Sequence, residues 1–141
     1  MDATGALTAD KREFDAIVVG GGPAGLTAAV ALAQAGVSTV LAGRGSAAGD
    51  NRTTALLASS VTALETLGVW SLCHDKSAPL RTLRIVDDTG RLWRAPEVKF
   101  EADEIGLEAF GWNIENRVLV AALIKRAGAL PNLTLVEDDA L

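Results

Sequence analysis

Cysteine and histidine are nearly missing: Cys73 and His74 are the only ones in 141 residues. One cysteine closes no intrachain disulfide, so the sequence asks for no oxidising compartment. One cysteine and one histidine fall short of the four ligands of a structural zinc site. Cys73 also lacks the partners a nucleophile needs and reads as a small packing residue near a helix end. A basic excess is missing too. The 13 Lys+Arg against 18 Asp+Glu leave a net charge of -5, which excludes the basic face of a nucleic-acid-binding protein. Lys11-Arg12 and Lys125-Arg126 are short charged pairs, expected in solvent. Residues 1–13 contain no apolar stretch and read as a flexible leader rather than a secretory signal. The one long uncharged run, residues 16–43, is broken by Gly20-Gly21-Gly22-Pro23, which a membrane helix would not tolerate. Together these absences predict a cytoplasmic protein with no transmembrane segment and no nucleic-acid partner.

What remains is a globular composition, 49% hydrophobic and 22% charged, with no internal repeat. Residues 14–19 form a short apolar run with Ile and two Val, the pattern of a buried parallel strand. Residues 24–35 are rich in Ala and Leu and predict a helix ended by Gly36 as a left-handed cap. Residues 37–42 predict a second buried strand, which completes a βαβ unit. A loop follows over 43–51, then a helix over 53–67 with Leu57, Val61 and Leu64 at helical spacing and Gly68 as its stop. Residues 80–86 alternate as a strand, Asp87-Asp88-Thr89-Gly90 is a turn, and 92–95 return antiparallel. Residues 97–108 read as a further strand or loop. A helix is predicted over 116–127, with Gly128 as its cap and Lys125-Arg126 near its C-terminus, where the helix dipole favours cations, and a last strand over 133–136. The fold class is therefore α/β: a Rossmann-like nucleotide-binding domain over 14–141, with a parallel sheet and an antiparallel hairpin insertion.

The chemistry concentrates in Gly20-Gly21-Gly22-Pro23-Ala24-Gly25, which satisfies G-x-G-x-x-G between a predicted strand and a predicted helix. Gly20 allows the sharp turn, Gly22 lets a pyrophosphate approach the backbone, and Gly25 lets the helix pack close to the sheet. Pro23 suits the first helical turn, and with Ala24 it opens a helix whose free N–H groups attract phosphate. The fingerprint normally ends about 20 residues on with an acid that binds ribose hydroxyls. Here that place is Gly43, followed by Arg44, a candidate phosphate ligand or a solvated side chain. Asp50 lies too far on to take the acid's place.

Residues 15–36, ending in GGGPAGLTAAVALAQAG, resemble the start of the flavoprotein hydroxylases related to p-hydroxybenzoate hydroxylase. Asp50-Asn51-Arg52-Thr53-Thr54-Ala55-Leu56 is similar to the D-x-R-x-x-A-L segment of the ubiquinone-biosynthesis branch. Residues 109–123, with Gly111, Glu115, Asn116, Leu119 and Leu123, resemble that branch's G-x-x-x-E-N-x-x-L-x-x-x-L segment. The resemblance implies non-covalent FAD, NAD(P)H as reductant, and oxygen used to hydroxylate a small aromatic substrate. It places Arg52 beside the cofactor, where a guanidinium can pair bidentately with phosphate. It places Asn116 near the ribityl chain or pyrophosphate, a position where Asn could equally serve as a helix N-cap. Trp70, Trp93 and Trp112 are expected to pack rather than to stack on flavin. A later Gly-Asp segment and a substrate sheet of such enzymes are not found in these residues. The expected chain is thus the N-terminal FAD-binding portion, inactive alone, with an exposed face open to self-association. Two alternatives stay open: another FAD- or NAD-dependent oxidoreductase, or a non-catalytic domain.

Overall fold

The computed structural model describes residues 13–44 and 50–137. The expected leader therefore lies outside the described residues, apart from Glu13, as does most of the 43–51 loop. Strand β1 (Ala16–Val19), helix α1 (Pro23–Gln34) and strand β2 (Thr39–Ala42) form the βαβ unit. β2 pairs in parallel with β1 on one side and with β8 (Leu133–Val136) on the other, giving the sheet order β1-β2-β8. Helix α3 (Asn116–Ala127) precedes β8 and packs beside α1. Leu26, Ala29 and Val30 of α1 meet Leu119, Leu123 and Ala127 of α3 in one core. Each large aliphatic side chain fully buried there contributes about 1.5–3 kcal/mol. Val18 faces that core, while its neighbours Ile17 and Val19 turn to the opposite face of the sheet and stay exposed.

A second, antiparallel sheet differs from the sequence expectation. Residues 53–57 are not the first turns of a helix but strand β3 (Thr53–Leu57), followed by a shorter helix α2 (Ala58–Thr66). β3 pairs along its whole length with β7 (Gly111–Glu115), whose other edge takes the short β4 (Ala78–Pro79). Thr53 and Thr54 are β-branched, and pairing with β7 decides a segment whose apolar spacing alone suited a helix. Leu57 consequently leaves the predicted stripe and is exposed, whereas Val61 and Leu64 are buried as that stripe requires.

The hairpin insertion exists with a different return strand. β5 (Thr82–Ile85) pairs antiparallel with β6 (Val98–Glu101), not with residues 92–95. The Asp87 carboxylate accepts from the N–H of Thr89 and from that of Ala95, which closes a wide loop instead of a tight turn. Trp93 sits in that loop and is 88% exposed, so it does not pack as expected, whereas Trp70 and Trp112 meet edge to face with ring centroids 6.0 Å apart. Arg126 is not merely solvated either. Its Nε donates to the Leu67 carbonyl at 2.7 Å and its Nη2 to Gln34 Oε1 at 3.1 Å, tying the end of α2 to α1. Cys73 is fully buried, and burial raises its thiol pKa, as suits a packing residue rather than a nucleophile.

Candidate functional site

β1 hands the chain to α1 through Gly20, whose φ of +119° favours glycine. The turn starts on the sheet ladder, since Gly20 N–H still donates to the Ala42 carbonyl at 2.8 Å. A Cβ on Gly25 would overlap the Gly20 carbonyl oxygen, so α1 rests directly on the turn. At Gly22, the residue before the helix, the space a Cβ would take is open. No side chain caps α1 and Pro23 brings no N–H, so the N–H groups of Ala24 and Gly25 are left for an outside acceptor. Close packing at Gly25, openness at Gly22 and a helix N-terminus together form a cradle fitted to a diphosphate.

Residue 43 lies against this turn, as the fingerprint requires, but a side chain there would have no room. A Cβ on Gly43 would stand 2.5 Å from the Gly21 nitrogen and 3.0 Å from the Gly20 carbonyl carbon. A Cβ on Gly21 would in turn stand 2.5 Å from the Arg44 carbonyl oxygen. The two backbones have closed on each other where other fingerprints keep an acid. Arg44 is exposed at the rim of this contact.

Arg52 and Asn116 meet through Asp50. Asp50 Oδ1 accepts from the Arg52 backbone N–H at 3.1 Å and from Arg52 Nε at 2.9 Å. Asp50 Oδ2 accepts from Arg52 Nη2 at 3.0 Å and from Asn116 Nδ2 at 3.2 Å. Hydrogen bonds from Arg52, then from Asn116, hold the Asp50 carboxyl well below the usual carboxylate range. Asp50 in turn raises the pKa of Arg52. Thr54 Oγ1 donates to Asn116 Oδ1, and Asn116 N–H donates to the Arg52 carbonyl at 2.9 Å. Asn116 is therefore not the N-cap, which is Glu115. It is the first residue of α3, buried, with its amide spent on β3 and on Asp50. Sequence reasoning passed over Asp50 and Thr54. The signal for Asp50 was its place two residues before Arg52, where a carboxylate reaches the following backbone N–H.

A largely apolar groove of about 450 Å³ runs from Pro23, Ala24 and Thr27 on α1 to Thr54, Leu56 and Ser60. It joins the glycine turn to the Thr54 end of the hydrogen-bonded cluster. Among the described residues no group of three His, Cys, Asp or Glu side chains could hold a metal, and no helix is long and apolar enough to cross a membrane.

A protein-family model described as an FAD binding domain matches residues 13–123. No curated protein matches the chain. Among solved structures, 2-methyl-3-hydroxypyridine-5-carboxylic acid oxygenase (a variant form) is similar at 26% identity and a TM-score of 0.67, over 92% of this chain and 33% of its own. The flavin-dependent monooxygenase PieE, solved with FAD and substrate, shares the fold at 24% identity and a TM-score of 0.67, over 87% of this chain and 23% of its own. The p-nitrophenol 4-monooxygenase of Pseudomonas putida DLL-E4 does so at 19% identity and a TM-score of 0.65, over 85% of this chain and 30% of its own. The chain thus spans a third or less of the length of each of these structures.

Proposed function

The chain belongs to the FAD binding domain family, and we propose that it is the FAD-binding portion of a monooxygenase that hydroxylates an aromatic ring with NAD(P)H and oxygen. The observation that carries this reading is the cradle at the start of α1, closed to side chains at Gly25 and open at Gly22. Gly20, Gly22, Pro23, Ala24 and Gly25 would hold the FAD pyrophosphate by backbone N–H groups and the helix dipole. Arg44 and Arg52 would supply positive charge to the phosphates, and Asn116 would fix the wall beside them. FAD, when bound, supplies the redox chemistry. This chain's residues bind and orient it, and none of them is assigned a proton-transfer role.

The ubiquinone-biosynthesis branch is the reading we favour within that class. Its support is the pair of motifs around Arg52 and Asn116, which are far apart in sequence and joined here through Asp50 and Thr54. Such an enzyme would work in the cytoplasm on a small aromatic substrate. The exposed Ile17 and Val19 on a parallel sheet, a kind usually covered on both faces, support self-association of this chain alone.

The test is the visible spectrum of the purified chain after incubation with FAD and desalting, followed by titration of flavin fluorescence. Retained flavin bands are expected, weakened by Gly22→Val, whose side chain fills the cradle. A chain folded by circular dichroism that takes up no FAD, or that prefers NAD, would overturn the reading.

A further inference from the structure

Asp50 and Arg52 form an ion pair of unequal exposure: the carboxylate side chain is 11% exposed and the guanidinium side chain 82%. An ordinary surface pair leaves both groups in water and contributes little. Here the acid is turned inward and takes four hydrogen bonds, one from the Arg52 backbone, two from its guanidinium and one from Asn116. Arg52 has five N–H donors and gives Asp50 two of them, through Nε and Nη2. The other three lie on the side of the guanidinium plane turned away from Asp50, and the paired bonds set the direction of that plane. The buried Asn116 fixes the other end of Asp50, and Thr54 fixes Asn116.

We infer that Asp50 is a positioning residue, which presets the Arg52 guanidinium for an anionic phosphate group and locks that geometry to Asn116 at the start of α3. The inference rests on the FAD reading for the identity of the phosphate, and on the hydrogen-bond geometry for everything else. Its consequence runs against simple electrostatics. Asp50 carries a negative charge beside an anion site, so charge alone says that its removal strengthens phosphate binding. Positioning says the opposite, because a freed arginine must be ordered again each time the ligand binds.

The experiment compares Asp50→Ala, Asp50→Asn, Arg52→Ala and the double variant Asp50→Ala/Arg52→Ala by FAD titration, each checked for folding by circular dichroism. Asp50→Ala is expected to weaken FAD binding about two- to tenfold, the range set by ordering one rotamer-rich side chain. In the Arg52→Ala background the same change is expected to have no further effect, which a merely structural role would not reproduce. Asp50→Ala binding FAD as tightly as the wild type, or more tightly, would overturn the proposal. So would full additivity in the double variant. Independently of FAD, the Arg52 Nε–H resonance should exchange slowly with water in the wild type and rapidly in Asp50→Asn. Should the wild type take no FAD, the cofactor reading fails. The same variants are then titrated with inorganic pyrophosphate, read at the Arg52 Nε signal. Weaker pyrophosphate binding in Asp50→Ala would sustain the positioning role. An Arg52 signal unmoved by pyrophosphate would end it.

Discussion

Replacing Gly43 separates two accounts of the ribose acid that is not there. If the acid is simply lacking, Gly43→Glu restores a ligand and tightens FAD binding. The packing argues otherwise. A Cβ at residue 43 would lie 2.5 Å from the Gly21 nitrogen, and 3.0 and 3.1 Å from the carbonyl carbon and Cα of Gly20. Comfortable contact between such atoms begins at about 3.5 Å, so one backbone must retreat by roughly 1 Å. Neither moves freely. Gly20 N–H is bonded to the Ala42 carbonyl at 2.8 Å, and Gly43 N–H to the Val136 carbonyl at 3.1 Å. Overpacking of this kind costs about 1–3 kcal/mol. For a domain of this size that lowers Tm by roughly 3–10 °C. Thermal melts of Gly43→Ala and Gly43→Glu should both show the loss, and FAD titration should show no gain for the glutamate. A Gly43→Glu variant that melts with the wild type and binds FAD more tightly would refute the reasoning, because the turn would then open at little cost.

Other consequences follow from the core and the cluster. Leu123→Ala, at a fully buried site between α1 and α3, should cost about 2–5 kcal/mol by urea denaturation. Asn116→Leu should cost roughly 1–3 kcal/mol, because Thr54 and Asp50 lose a buried partner, and it should also lower FAD affinity. Acidification tests Asp50 from another side. Its carboxyl is held below the ordinary carboxylate pKa of about 3.9, so its stabilising bonds are complete above that pH and fade as pH falls beneath it. The urea midpoint of Asp50→Asn should therefore fall less between pH 7 and pH 3 than that of the wild type; equal falls would deny Asp50 this role.

The parts legible in the sequence are those governed by near neighbours. Helix α3 and strand β8 span the residues their periodicity predicts, and β1, α1 and β2 differ from prediction only at their ends. Gly36 and Gly68, with φ of +90° and +70°, stand just past the helices they were expected to stop. The misread segments are those whose conformation depends on a distant partner. Residues 53–57 have apolar side chains that suit a helix and become a strand because β7 lies alongside. β7 itself passed unread as a strand, since its residues stood out as a motif. The return strand of the hairpin lies later than the Asp87-to-Gly90 turn signal predicts, because Asp87 also reaches the backbone of Ala95 and holds a wider loop.

The candidate site follows the same division. The glycine cradle is local, and its residues, spacing and geometry were all visible in one hexapeptide. Arg52 and Asn116 were visible as separate motifs, but nothing local says that they share a carboxylate. That contact exists because β3 and β7 are paired with Thr53 opposite Glu115, which brings the start of α3 beside the 50–52 segment. A shift of β3 by one residue would turn its side chains to the other face of the sheet and separate Thr54 from Asn116. The register of this antiparallel pair therefore decides whether Asp50, Thr54 and Asn116 come together as the second half of the candidate site. The apolar pattern of β3, weak enough to be mistaken for a helix, is correspondingly the part of the site most dependent on the rest of the fold.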